Sequence, residues 1–272
     1  MAILIAVQCS LSGCEARTAE AEPVEQPGSL DFADKPRLGL MTSLPLYWPL
    51  GAGLGEILKA EAPVSHQREV IEAQFELLPL DTLSPIAGLT ESDPEIDPLE
   101  GLEKLAIVQP RGLSPADNVA LDEWVTAGGK LLLVLDPMLT AHHDLPLGDP
   151  RRPVDIALIP PVVARWGLEI TFDDNQPTAP RTVAMDDTQF SVALAGKVGL
   201  REEGANECEI LADAVVARCR IGEGQVVLIA DALIFEGHAD HEHAQKEPNG
   251  LGDVMDFTFG QISSGKSGDG LS

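Results

Sequence analysis

Residues 105–137 read LAIVQPRGLSPADNVALDEWVTAGGKLLLVLDP, and the fold class is decided there. Leu105-Ala106-Ile107-Val108 is an unbroken apolar run, the composition of a strand covered on both faces. Ser114-Pro115-Ala116-Asp117 is a helix start, with a hydroxyl at the N-cap, proline at the first helical position and an acid at the third. Leu121, Trp124 and Val125 then recur at three- and four-residue spacing, and Gly128-Gly129 ends the helix. Lys130 to Leu135 is a second buried strand that closes at Asp136-Pro137. Strand, helix and strand so close together make a right-handed βαβ unit with parallel strands, hence an α/β domain.

Working outward, Arg37 to Met41 reads as a short strand followed by the polar step Thr42-Ser43. Gly51 to Ala60 and Ser65 to Gln74 read as helical pieces, and Phe75 to Leu80 as a strand ending at Asp81. Thr90 to Glu100 is an acidic, proline-containing loop, and Met138 to Asp155 a long one. Pro161 to Trp166 reads as helix and Leu168 to Phe172 as strand, while Arg181 to Leu200 alternates as antiparallel strands do. Ala214 to Arg220 and Gln225 to Ala230 form a hairpin around Gly222-Glu223-Gly224, ending at Asp231. The expected C-terminal portion of the sheet is therefore antiparallel. Asn249 to Ile262 reads as a last helix, and the Gly/Ser-rich tail 263–272 as disordered.

The 272 residues carry Lys+Arg 18 against Asp+Glu 44, a formal charge of -26. Such a surface repels phosphate backbones, which argues against nucleic-acid binding. Aromatic residues make up only 4%, so aliphatic side chains must fill the core.

Residues 1–13, MAILIAVQCSLSG, carry no charge, and the apolar run is too short for a bilayer, which needs about 20 residues. It has the length of a signal-peptide core and ends in Leu11-Ser12-Gly13-Cys14, which resembles the lipobox of bacterial lipoproteins. On that reading Cys14 takes the lipid, and the protein is held on the periplasmic side of the cell envelope by that anchor alone. A basic residue ordinarily opens such a leader, and none precedes Arg17. Residues 14–35 read as a solvated tether and 36–262 as the α/β domain. With Cys9 leaving in the leader and Cys14 lipidated, Cys208 and Cys219 remain as an even pair, expected to form a disulfide in an oxidising compartment.

The succession TSLPLYWPLG (42–51), the 105–139 stretch, LPLGDPRRP (145–153) and ARWGLEI (164–170) resembles uncharacterised ABC-type transport-system accessory proteins. These are akin to the periplasmic domain of gliding-motility ABC-transporter components. The resemblance implies a flavodoxin-like parallel sheet of the class I glutamine amidotransferase kind. It also implies a non-catalytic accessory or binding domain that engages transporter membrane components, other envelope proteins or a glycan.

An amidotransferase-like enzyme needs a cysteine or serine at a sharp strand-to-helix turn, and Asp136-Pro137-Met138-Leu139 supplies neither. No catalytic residue and no cofactor is assigned. Ligands of open parallel sheets bind outside the carboxyl ends of the strands. Thr42, Ser43, Asp81, Gln109, Arg111, Asp136 and Asp231 reach that edge, with Tyr47 and Trp48 close behind the first strand. These suit a polar ligand such as a sugar, or they cap the following turns. Arg151 and Arg152 suit an anionic ligand or partner, or they pair with acids of the same chain. His238, Asp240, His241, Glu242 and His243, with His142-His143 elsewhere, contain metal-ligand chemistry, but adjacent loop positions seldom converge on one ion, and no metal is assigned. The alternative function is a hydrolase using the strand-end carboxylates Asp136 and Asp231.

Overall fold

The computed structural model describes residues 35–47, 50, 55, 63–90, 92–202, 207–236 and 250–260. The chain divides into two units, Met1–Asp34 and Lys35–Ser272, and every described residue belongs to the second. The leader, Cys14, the tether, Trp48, most of the helix expected at 51–60, the histidine cluster at 238–243 and the tail lie outside the described residues.

The main sheet contains β1 (Arg37–Thr42), β2 (Glu76–Pro79), β3 (Lys104–Val108), β4 (Lys130–Val134), β9 (Glu207–Leu211), β10 (Val216–Ile221) and β11 (Gly224–Ile229). Their spatial order is β2-β1-β3-β4-β11-β10-β9. The first five are parallel, while β10 runs antiparallel to β11 and β9 antiparallel to β10. This is an α/β domain with a largely parallel sheet and an antiparallel C-terminal portion.

The continuous apolar runs are explained by two covered faces. Ala106, Val108, Leu132 and Val134 enter one core with Ile71 and Phe75, from the segment of helix α1 (His66–Gln74), and with Val254, Met255 and Phe259 of helix α4 (Leu251–Phe259). Their neighbours Leu105, Ile107, Leu131 and Leu133 enter the opposite core with Leu121 and Val125 of α2 (Pro115–Thr126) and Val162 and Val163 of α3 (Pro161–Arg165). Successive strand residues point to opposite faces, so the four-residue runs bury both sides at once.

Helix α2 begins as its sequence implies. Ser114 caps Asp117 N–H, and Asp117 returns the bond to Ser114 N–H. Its far end lies against the β10–β11 turn so closely that a Cβ on Gly224 would overlap the Val125 carbonyl oxygen, and one on Gly129 the Trp124 ring.

Three features differ from the sequence reading. The Gln225–Ala230 strand is not only half of a hairpin: β11 also lies parallel to β4, which makes it the fifth member of the parallel array. β9, unrecognised as a strand, pairs with β10 and places Cys208 directly opposite Cys219, and the two sulfurs are bonded. β5 (Leu168–Thr171) leaves the main sheet to pair with β8 (Lys197–Leu200), while β6 (Arg181–Met185) and β7 (Thr188–Val192) form their own hairpin. Among the described residues no helix is long and apolar enough to cross a membrane.

Candidate functional site

The carboxyl ends of β1, β3, β4 and β11 bring together Ser43, Gln109, Asp136 and Asp231, all buried. Gln109 follows β3 with φ 46, a left-handed conformation that turns the chain sharply at the sheet edge. Its side-chain oxygen accepts Asp136 N–H at 2.8 Å, and its amide donates to the Asp136 carbonyl at 3.1 Å and the Val154 carbonyl at 2.9 Å. The Ser43 hydroxyl donates to the Gln109 carbonyl at 2.5 Å and accepts Val154 N–H at 3.1 Å. Together these bonds fasten the long 138–155 loop to the strand ends.

Beneath that loop lie three buried carboxyl groups, Asp136, Asp231 and Glu236. Asp136 accepts Met138 N–H at 2.7 Å and Ala232 N–H at 2.8 Å, one on each oxygen. Asp231 accepts Ala193 N–H at 2.8 Å and Leu233 N–H at 2.9 Å in the same way. Glu236 takes Thr140 N–H at 2.9 Å and its hydroxyl at 2.6 Å. Removal from water raises the Asp136 carboxyl to about 7, with the charge of Glu236 adding to the effect and the two N–H donors opposing it. Asp231 is raised to about 8, first by burial and then by the charge of Asp136. At neutral pH the cluster therefore holds a proton that two exposed aspartates would have lost.

The remaining sequence candidates are dispersed. Thr42 accepts Leu44 N–H, while Tyr47 is pinned by Arg68, whose guanidinium lies 4.4 Å from its ring and donates to its carbonyl. Asp81 is exposed. Arg111 donates to the Arg152 carbonyl. Arg151 pairs with Asp149 at 2.8 Å, and Arg152 forks onto both oxygens of Asp155 while also holding the His143 and Leu145 carbonyls. Both arginines are thus occupied by their own loop. Among the described residues no group of three His, Cys, Asp or Glu side chains is placed to hold a metal ion.

Sequence reasoning missed Glu236 as a member of the cluster. The only available signal was an acid directly after Leu233-Ile234-Phe235, an apolar run just past a strand end.

No protein-family model and no curated protein matches the chain. Solved structures similar to it include an exo-β-1,4-mannosidase, Op5Man5, from Opitutaceae bacterium strain TAV5, at 15% identity and TM-score 0.41, over 72% of this chain and 31% of that one. A β-galactosidase from Bacillus circulans sp. alkalophilus aligns at 10% identity and TM-score 0.42, over 72% and 28%. One from Rahnella sp. R3 aligns at 12% and 0.41, over 72% and 29%. The chain spans under a third of the length of these enzymes, and no substrate or catalytic residue is carried across from them.

These findings correct the resemblance to ABC-type transport accessory proteins and to glutamine amidotransferases. No family model supports it, and these similar solved structures are a mannosidase and β-galactosidases. The non-catalytic transport-accessory function falls with it, because its link to an ABC-type transporter came from that resemblance, and the lipobox and the missing nucleophile that also motivated it name no transporter.

Proposed function

We propose that the protein is a hydrolase whose working groups are the carboxyls at the ends of β4 and β11. The observation that carries this reading is the adjacency of two buried acids, Asp136 and Asp231, with values of about 7 and about 8. Acid–base catalysis is most efficient when the proton carrier titrates near the working pH, and paired carboxyls pushed upward by their surroundings meet that condition. One carboxyl of the pair, in its protonated state, serves as general acid, and the other as the base or stabilising carboxylate. Their position outside the carboxyl ends of parallel strands agrees with where such sheets bind ligands. Glycosidic bonds are the first substrates to try, since a pair of carboxyls is what their cleavage requires. The strand order β2-β1-β3-β4-β11 supports a flavodoxin-like form for the parallel part.

The test is turnover of a panel of aryl glycosides by the full chain, beside Asp231→Asn and Asp136→Asn. The expected result is a loss of about 10²–10⁴-fold in each variant, with melting temperature followed in parallel. No turnover by the unaltered protein, or full turnover by both variants, rejects the reading. A second reading is favoured by one observation: all four oxygens of the two aspartates already accept a backbone N–H. On that account the acids are turn caps, and the variants change stability alone.

For location, we propose the cell envelope, with the lipid on Cys14 as anchor and other envelope proteins as partners. The Cys208–Cys219 disulfide supports an oxidising compartment. Incorporation of radiolabelled fatty acid by the unaltered protein, lost in Cys14→Ser, is the expected result.

A further inference from the structure

Between β2 and β3 a loop leaves the body with both feet buried, at Leu83 and Leu99, and most of the described residues between them exposed. Large apolar side chains stand on that span: Ile86 is 47% exposed, Ile96 61%, and Leu89 fully. The loop is built to hold them there. Ile86 and Ile96 exchange two backbone hydrogen bonds, at 2.8 and 2.9 Å. Asp93 caps Thr90 N–H, Asp97 caps Leu99 N–H, and Asp117 grips Thr82, Leu83 and Ser84 at one foot. Apolar side chains on a pre-organised loop lose little conformational freedom on binding, which is the arrangement expected of anchors.

Around these anchors the charge has one sign. No Lys or Arg occurs between Arg68 and Lys104, and Asp93, Glu95 and Asp97 are exposed beside Ile96. We propose that this loop is a docking finger for a different protein, one that offers an apolar hollow rimmed by lysine or arginine. A second copy of a chain with net charge -26 would meet it with like charge, and an anionic lipid surface would repel it. A basic rim is the surface that complements both features of the finger.

The experiment places the photo-crosslinker p-benzoylphenylalanine at position 89 of the full chain, in the cells that make it. The expected result is one adduct to another protein, identified by mass spectrometry and carrying a basic, apolar surface. Its yield falls about fivefold or more in Glu95→Lys and in the double variant Asp93→Asn, Asp97→Asn. Asparagine keeps the side-chain oxygen that caps Thr90 and Leu99, and unchanged melting temperatures show that the loop is intact. An adduct to the chain itself, to lipid alone, or of unchanged yield in both variants overturns the proposal, as does the absence of any adduct.

Discussion

Two buried aspartates in this protein have opposite charge states, and the contrast shows what burial does and does not decide. Asp117, at the start of α2, accepts five hydrogen bonds: from the Thr82 hydroxyl, Leu83 N–H and Ser84 N–H on one oxygen, and from Ser114 N–H and its hydroxyl on the other. Burial pushes its carboxyl up, yet the donors outweigh it and hold the group far below the usual carboxylate range. Asp231 accepts two N–H bonds, is more deeply buried and faces Asp136 and Glu236, and it moves the other way. Depth of burial, donor number and the sign of the neighbours together set the result.

Asp117→Asn gives the largest effect. An amide cannot accept all five donors, and losing a charge-assisted cluster of this kind costs about 3 kcal/mol. In a domain of this size that lowers the melting temperature by about 10 °C at pH 7. The deficit begins to shrink below about pH 4, where Asp117 of the unfolded chain takes up a proton while the folded carboxylate stays ionised, because a depressed acid stabilises fully above its unfolded value and loses that contribution as pH falls toward its folded one. Calorimetry of both proteins between pH 3 and pH 7 checks this, and a shift under about 2 °C at pH 7 breaks the contrast.

The strand-end cluster predicts the reverse slope. Folding holds protons on Asp136 and Asp231 that the unfolded chain has released above about pH 4. Their contribution is complete below that pH and is lost as pH rises through about 7 and 8. The melting temperature should therefore fall between pH 5 and pH 9, and Asp231→Asn should flatten the fall. An equal slope in the variant would assign the loss to the net negative charge of the whole surface.

Thr140→Val tests the third acid. It removes the hydroxyl donor of Glu236 and keeps its backbone one, so the cost is about 1–2 kcal/mol. Chemical denaturation with an unchanged m-value reads it directly. At the small end, Arg151→Ala breaks a pair on an exposed loop and leaves the melting temperature unchanged.

Much of the parallel array was legible because its signals are short-ranged. The Leu131–Leu135 run, the Ser114-Pro115-Ala116-Asp117 start and the Gly128-Gly129 stop each depend on neighbours a few residues away. The cystine was legible by counting, though not the edge strand that carries Cys208. Asp117 was readable as a helix cap through Ser114, but its hold on residues 82–84 was not, since those partners are some 33 to 35 positions away. The sequence left Arg151 and Arg152 open between an external anion and acids of the same chain, and Asp149 and Asp155, two and three residues away, pair with them.

The amino-acid order alone determined the apolar runs, the caps and the alternation of strand and helix, because each is a property of contiguous chain. Only the tertiary structure decided that β11 lies beside β4, and so that Asp136, Asp231 and Glu236 share one dry corner. A carboxyl group's charge state depends on which dipoles and charges surround it in space, and a linear pattern does not contain that information.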